Sequence, residues 1–274
     1  MLRHELMAQR QAVAPTKPPN LRICKYCSVR TLIVVPTYFE VDNIGELLSR
    51  LVAAVPSADV IVIDDGSTDG TCDVVSTFAT DHPQVALRQR AQKGGLGSAY
   101  RETFKSAVGD YDLLVEIDAD LSHEPEALPE LLSAAHAGAD VVIGSRYVPG
   151  GQIIGWSKSR LRLSRWGNRY ASLVLGLAIN DATAGFRVYR SSIIERFGLA
   201  DIKSDGYGFQ VEMTYQAVRA GARIVEIPIT FHERETGESK MSRKIVIEAF
   251  LYTTIRGARD LLLRKRSQRM YRAK

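Results

Sequence analysis

The chain has little cysteine and no long apolar run. Its three cysteines, Cys24, Cys27 and Cys72, are spread over 274 residues. An odd number builds no disulfide framework and fits a reducing compartment. Cys24-Lys-Tyr-Cys27 has the spacing of half a zinc or redox site, but no second pair completes it, so these cysteines are read as incidental. No stretch reaches the roughly 18 uninterrupted apolar residues that a spanning helix needs, so no membrane crossing is expected. Residues 1–30 contain Pro15, Pro18 and Pro19 and no apolar core of signal-peptide length, and are read as a loosely held arm. Histidine is also sparse, at five residues, and none stands out as indispensable.

What remains is an ordinary globular composition, 45% hydrophobic and 24% charged, enough for a sizeable core. The net charge of +5 is unevenly placed. Residues 241–274 hold ten Lys or Arg against Glu248 and Asp260, so the basic character belongs to the C-terminus. Within it, Phe250, Leu251, Thr254, Ile255, Ala258, Leu261 and Leu262 recur at helical spacing. An amphipathic basic helix and tail over 243–274 would suit an anionic membrane surface, with packing on the main domain as the alternative. Nucleic acid is not expected as a partner, because aromatic interleaving is sparse and no recognition motif is found.

The most informative stretch is Leu113-Leu-Val-Glu-Ile-Asp-Ala-Asp120, an apolar run that ends in two acids one residue apart. A buried strand carrying Asp118 and Asp120 to its C-terminal edge presents carboxylates where α/β sheets bind ligands. Paired anionic oxygens suit a hard divalent cation, and such a cation suits a diphosphate. An earlier run, Val60-Ile-Val-Ile-Asp-Asp65, also stops at carboxylates, followed by Gly66-Ser-Thr-Asp69-Gly70. Before it, Thr31-Leu-Ile-Val-Val-Pro36-Thr-Tyr38-Phe-Glu40 reads as a strand stopped by proline. Three successive strands thus carry functional groups at one end only.

The order of elements is strand 31–35, helix 42–55, strand 59–63, helix 71–80, strand 85–89, helix 95–108, strand 113–117, helix 125–137 and strand 140–144. This alternation predicts a mostly parallel sheet covered by helices on both faces. Beyond it, helices are expected within 156–180 and over 208–220, and one strand over 222–231. The second half is rich in single cations. Arg146, in Gly144-Ser-Arg-Tyr147, follows a strand and should lie at the acidic edge. Arg160 and Ser164 are four apart and share a helix face. Arg234 and Lys240 flank Gly237 in a polar loop. Cations grouped around a metal site are natural phosphate binders.

Taken together, Val35-Pro-Thr-Tyr-Phe-Glu40, Asp64-Asp-Gly-Ser-Thr-Asp-Gly70, Gly94-Gly-Leu-Gly97, Asp118-Ala-Asp120, Gly144-Ser-Arg-Tyr147 and Gly237-Glu-Ser-Lys240 resemble family 2 glycosyltransferases of the GT-A fold. More narrowly, they look like the polyprenol/dolichol-phosphate mannose synthases. The resemblance covers roughly residues 30–250, with the glycosyltransferase domain drawn at 31–242. It implies metal-dependent, inverting transfer of mannose from GDP-mannose to a polyprenyl phosphate by a protein peripheral on the cytoplasmic face of a membrane, with a membrane-protein partner as an option.

The resemblance also implies roles. Pro36, Tyr38, Glu40, Ile63 and Asp65 would hold the guanosine part. Asp118 and Asp120, with Ala119 between them, would hold Mg²⁺ or Mn²⁺. Arg146, Arg234 and Lys240 would contact phosphates, and Arg160 and Ser164 would face the acceptor phosphate. Two departures stand out. Ser122, expected to ligate the metal weakly or through water, occupies the place where many relatives carry a further metal-ligating glutamine, and Gly206-Tyr-Gly-Phe209 lacks a lysine that many relatives have.

The mechanism needs no general base, because a phosphate nucleophile is already ionised near neutral pH and asks for positioning and charge stabilisation. Asp120, Arg146 and Arg234 are the expected catalytic groups. Other readings are transfer of glucose from UDP-glucose to the same lipid, a catalytically silent binding module, and a haloacid-dehalogenase-like phosphatase. The last expects its Asp-x-Asp on the first strand, and here three strands come before it.

Overall fold

In a computed structural model, the described residues are 29–200, 202, 204, 206–234 and 250–260. The arm 1–30 therefore lies outside them except for Val29 and Arg30, as do Cys24, Cys27, Lys240, Leu261 and Leu262.

The first strand, β1 (Thr31–Thr37), is buried along nearly its whole length. It is followed by α1 (Val41–Ala54), β2 (Asp59–Asp64), α2 (Thr71–Asp81), β3 (Val85–Gln89), α3 (Leu96–Ala107) and β4 (Leu113–Glu116). A single 3₁₀ turn at Pro125–Ala127 leads into α4 (Leu128–His136), and β5 (Val141–Ser145) ends the regular alternation. Then come β6 (Gln152–Ile154), α5 (Lys158–Leu175), β7 (Arg187–Arg190), α6 (Ser191–Phe197), α7 (Gly206–Arg219), β8 (Ile224–Pro228) and β9 (Thr230–His232). Residues 250–260 form a further helix, α8.

Seven strands make one sheet in the order β3-β2-β1-β4-β7-β5-β8, and β6 pairs with β9 in a separate ribbon. All pairings in the large sheet are parallel except those of β7, which runs antiparallel between β4 and β5. Successive residues of a strand point to opposite faces. Hence Ile33 and Val35 join α1, α2 and α4 on one side, while Leu32 and Val34 join α3, α5, α6 and α7 on the other. In α1 the buried Ile44, Leu47, Leu48 and Leu51 recur at i, i+3, i+4 and i+7, which seats one stripe on the sheet.

Two sequence expectations are corrected. The strand expected over 222–231 is two strands, because Pro228 has no amide to continue the ladder. The chain changes partner at Ile229, whose amide donates to Ser145 O at 3.1 Å and whose carbonyl accepts from Gln152 N at 2.9 Å. The first strand is not stopped at Val35 but runs through Pro36, opposite Ile63, to Thr37. The sequence reading also missed β6, β7 and α6. In β7 the signal was hidden by Arg187, which is fully buried and gives its guanidinium donors to Ala182 O, Ala184 O, Gln210 O, Thr214 Oγ1 and Tyr189 Oη. A buried arginine with every donor engaged reads, in sequence, like a surface cation.

Candidate active site

Because β1, β2, β4 and β5 are parallel to one another, their C-terminal ends share one edge of the sheet. A cleft of about 510 Å³ opens there. Pro36, Tyr38, Glu40, Asp65, Asp118, Ala119, Asp120, Ser122, Arg146, Arg160 and Arg234 all line it. Ile63 does not, since its side chain is in the core beneath the sheet edge. Ser164 lies behind the wall and accepts a 2.7 Å hydrogen bond from Tyr147 Oη. Lys240 lies outside the described residues.

At one end of the cleft, the acids of β2 are used to shape loops. The buried Asp64 carboxylate accepts from Thr37 Oγ1, the Gly66 and Ser67 amides and Ser67 Oγ, at 2.6–3.0 Å. Burial alone would raise its pKa, but the Ser67 hydroxyl and amide and the Thr37 hydroxyl outweigh it and hold the group below the usual carboxylate range. Asp65 accepts from the Gly94 and Gly95 amides at 3.2 and 3.0 Å and pairs with Arg90 at 2.8 Å. Lys93, on the same glycine-containing loop, places its ammonium 3.7 Å from the centre of the Tyr38 ring. That loop's role was missed from sequence, although Gly94-Gly-Leu-Gly97 marked its position.

In the middle, Asp118 and Asp120 emerge from β4. Asp118 keeps about 30% of its side chain exposed to the cleft, while Asp120 is buried and forms an ion pair with Arg234 Nε. Ser122 donates to Asp120 Oδ1 from both its amide, at 3.1 Å, and its hydroxyl, at 2.5 Å. Between them Leu121 has φ 57°, a left-handed conformation that costs a bulky residue energy and aims its neighbours. Phe39, between the cleft residues Tyr38 and Glu40, has φ 55°. Burial first, and the Asp120 charge next, push the Asp118 carboxyl well above its ordinary pKa, against the pull of Arg234. A second cation in the cleft would relieve that repulsion.

Among the described residues no group of three or more His, Cys, Asp or Glu side chains could hold a metal. Any cation here would rest on the Asp118 and Asp120 carboxylates, with its other positions open to a ligand or water. His123, 3.8 Å from Asp118, is enclosed by Phe186 and Phe231, and its burial holds its pKa below the usual value. It is a neutral wall of the site.

At the other end, Arg146 follows β5. Its Nε and NH2 clasp the two oxygens of the buried Asp181 at 2.7 Å each, and NH2 also reaches Thr183 Oγ1 at 2.9 Å. Asp181 in turn is fixed by its backbone amide, which donates a hydrogen bond to Glu226 Oε1 at 2.9 Å. Arg160 packs 4.1 Å from the centre of the Trp156 ring and pairs with Glu233 at 2.7 Å. Asp181 and Thr183 were not foreseen, because nothing local in the sequence connects them to Arg146, and Trp156 was passed over although it lies only four residues before Arg160. The site thus has acids at its centre and cations at both ends, an arrangement suited to a ligand that bears phosphates.

Residues 32–198 match the model of the Glycosyl transferase family 2. The chain belongs to that family. It is 50% identical over 227 residues to the undecaprenyl-phosphate mannosyltransferase of Micrococcus luteus, covering 82% of this chain and 93% of the relative. It is 44% identical over 239 residues to the polyprenol monophosphomannose synthase of Mycolicibacterium smegmatis, covering 86% and 90%. The fold is similar to that of glucosyl-3-phosphoglycerate synthase from Mycobacterium tuberculosis in complex with Mn²⁺, uridine-diphosphate-glucose and phosphoglyceric acid. There the TM-score is 0.61 at 18% identity, over 84% of this chain and 80% of that one. The expected GT-A architecture and glycosyltransferase class therefore hold. The family model ends at residue 198, so Gln210, Glu233 and Arg234 complete the cleft from outside it. No helix among the described residues is long and apolar enough to cross a membrane.

Proposed function

We propose that this protein transfers mannose from GDP-mannose to a polyprenyl phosphate, with inversion at the sugar carbon, at the cytoplasmic face of a membrane. The relatives in Micrococcus luteus and Mycolicibacterium smegmatis are named for mannose and a polyprenyl acceptor. The observation that carries the reading is the cleft itself, where the two carboxylates just beyond β4, Asp118 and Asp120, share the lining with Arg146, Arg160 and Arg234.

In this reading Pro36, Tyr38, Glu40 and Asp65 bind the nucleoside. Lys93 closes over Tyr38 and adds a cation toward the diphosphate. Asp118 and Asp120 would hold Mg²⁺ or Mn²⁺, which neutralises the charge that builds on the leaving diphosphate. Ser122 and Arg234 keep the Asp120 carboxylate in one orientation. Arg146, held by Asp181, is a fixed positive wall, so it needs no reorganisation as charge develops. Arg160 can exchange Glu233 for an acceptor phosphate, and Ser164 holds the Tyr147 hydroxyl. The acceptor phosphate is itself the nucleophile, and these residues supply its position.

The test is transfer of labelled mannose from GDP-mannose to a short polyprenyl phosphate with Mg²⁺, Mn²⁺ or EDTA. A metal-dependent lipid product that disappears in Asp120→Ala is expected. Product from UDP-glucose but not from GDP-mannose would overturn the donor assignment, and absence of product with either donor would overturn the reaction.

A further inference from the structure

We infer that Phe39 is a positioning residue of the nucleoside end, an aromatic side chain kept in a strained backbone conformation so that its ring holds Tyr38 in the cleft. The inference deepens the donor-binding reading and rests on it for the choice of ligand.

Phe39, with φ 55°, and Leu121, with φ 57°, are the two non-glycine residues of positive φ among the described residues. Both stand between cleft residues, Leu121 between Asp120 and Ser122, Phe39 between Tyr38 and Glu40. A bulky side chain is disfavoured in this left-handed region, which glycine enters freely and asparagine enters readily. A turn that served the fold alone would be more stable with one of those two residues at position 39.

The surroundings impose the conformation firmly. Three successive amides of the turn between β1 and α1 are each taken by a side chain of the loop after β2. Phe39 N donates to Ser67 Oγ at 2.9 Å, Glu40 N to Thr71 Oγ1 at 3.0 Å and Val41 N to Asp69 Oδ2 at 3.2 Å. Two of these acceptors are themselves tied down. Ser67 Oγ donates to Asp64 Oδ2 and Thr71 Oγ1 to Asp69 Oδ1, at 2.6 Å each. Backbone strain persists where neighbouring structure over-determines it in this way, and it gathers at ligand clamps.

The use of the ring follows from its contacts. Phe39 is 45% exposed, so it adds little to the core. Its ring meets the Tyr38 ring at 4.4 Å between centres and an angle of 70°, the edge-on geometry that aromatic pairs favour. Lys93 places its ammonium 3.7 Å from the centre of the same Tyr38 ring. Tyr38 thus has two supports, and it lines the cleft with Glu40 and Asp65. Asparagine at position 39 would relieve the strain and remove one of those supports. Stability and donor binding therefore change in opposite directions at this position.

Phe39→Asn and Phe39→Tyr in the full chain test this. Phe39→Asn should raise the melting temperature of the ligand-free protein by about 2 °C or more. In calorimetry with Mn²⁺ it should weaken GDP binding by about threefold to tenfold, the range of an aromatic pair. GMP should weaken by the same factor, because the lost support is at the nucleoside and not at the second phosphate. In steady state the donor KM should rise with kcat unchanged, since the contact bears equally on ground and transition states. Phe39→Tyr keeps the ring and should keep wild-type melting and wild-type GDP binding.

Unchanged GDP binding in Phe39→Asn would overturn the inference. So would a fall in melting temperature alongside weaker binding, which would make the ring a support of the fold, and so would weak binding in Phe39→Tyr. Unchanged GDP binding in Phe39→Asn beside normal mannose transfer by the wild type would remove the inference and leave the reaction. A wild type that binds UDP in place of GDP, with the binding weakened in Phe39→Asn, would leave the inference and change the donor.

Discussion

A Cβ placed on Gly185 would lie 2.9 Å from Asp118 Oδ2, so the absence of a side chain on the loop before β7 makes the space in which a β4 carboxylate stands. The backbone of Gly185 has no left-handed φ, so alanine is conformationally acceptable there and the conflict is with the carboxylate alone. Gly185→Ala should turn Asp118 out of place. Displacements of about 1 Å at a reacting centre can cost about a hundredfold in rate. The expected result is a fall of tenfold or more in kcat/KM for the donor and a weaker apparent metal affinity, with the melting temperature nearly unchanged. Steady-state kinetics over a Mn²⁺ titration would check it, and wild-type kinetics would show that Asp118 can move without consequence.

Glu116 lies two residues before Asp118 on β4, fully buried, and neither of its carboxyl oxygens has a hydrogen-bond partner among the described residues. Burial lifts its pKa from 4.5 to about 8, against the opposing charge of Arg187. Because the folded pKa exceeds the unfolded one, the folded state holds a proton that the unfolded state releases. This contribution to stability is complete below pH 4.5 and is lost as pH rises to about 8. His123, whose folded pKa is lowered, acts in the opposite direction, but only below its unfolded value of about 6.5. Between pH 6.5 and 8.5, metal-free protein should therefore lose stability, and Glu116→Gln should flatten that slope. Urea unfolding in EDTA at the two pH values reads this directly. Equal slopes in the two proteins would mean that Glu116 is already ionised in the fold.

Much of this architecture was legible because apolar runs in the first half stop at acids. The strand ends at Asp65 and Asp118 were found by that pattern, and the parallel order of the sheet then required them to meet. The second half resisted for identifiable reasons. Arg187 gives β7 a polar look although all its donors are satisfied inside the protein. Pro228 divides what reads as one strand into members of two sheets. Asp181 and Thr183 lie 35 and 37 positions from Arg146 in the chain, so their grip on its guanidinium has no local spacing that could reveal it. Lys93 was passed over because its task depends on the fold bringing its loop over Tyr38.

That grip has a measurable consequence. Asp181 and Arg146 are both buried, and removing one partner of a buried ion pair leaves the other charge uncompensated, at about 3–5 kcal/mol. Asp181→Ala should destabilise the protein by about that amount in urea unfolding and depress kcat, because the freed guanidinium no longer keeps one position. The double variant Asp181→Ala, Arg146→Met should recover part of the stability and none of the activity. Recovery of activity along with stability would mean that Arg146 serves the fold alone.

Arg160 offers the contrasting case, a cation at the cleft with a partner it can leave. Its bond to Glu233 is partly exposed, and exposed pairs contribute about 0–1 kcal/mol, so Arg160→Ala should scarcely change stability. If it receives the acceptor phosphate, the loss falls on the acceptor and spares the donor. The expected outcome is a rise of about tenfold or more in KM for a short polyprenyl phosphate, from the loss of a charge-assisted hydrogen bond, with KM for GDP-mannose within twofold of wild type. Glu233→Gln removes the competing carboxylate and should lower the acceptor KM, the opposite sign from a change in the same ion pair. Initial rates with each substrate varied in turn distinguish the two. A donor KM that rises in Arg160→Ala while the acceptor KM stays constant would move Arg160 to the diphosphate side of the cleft.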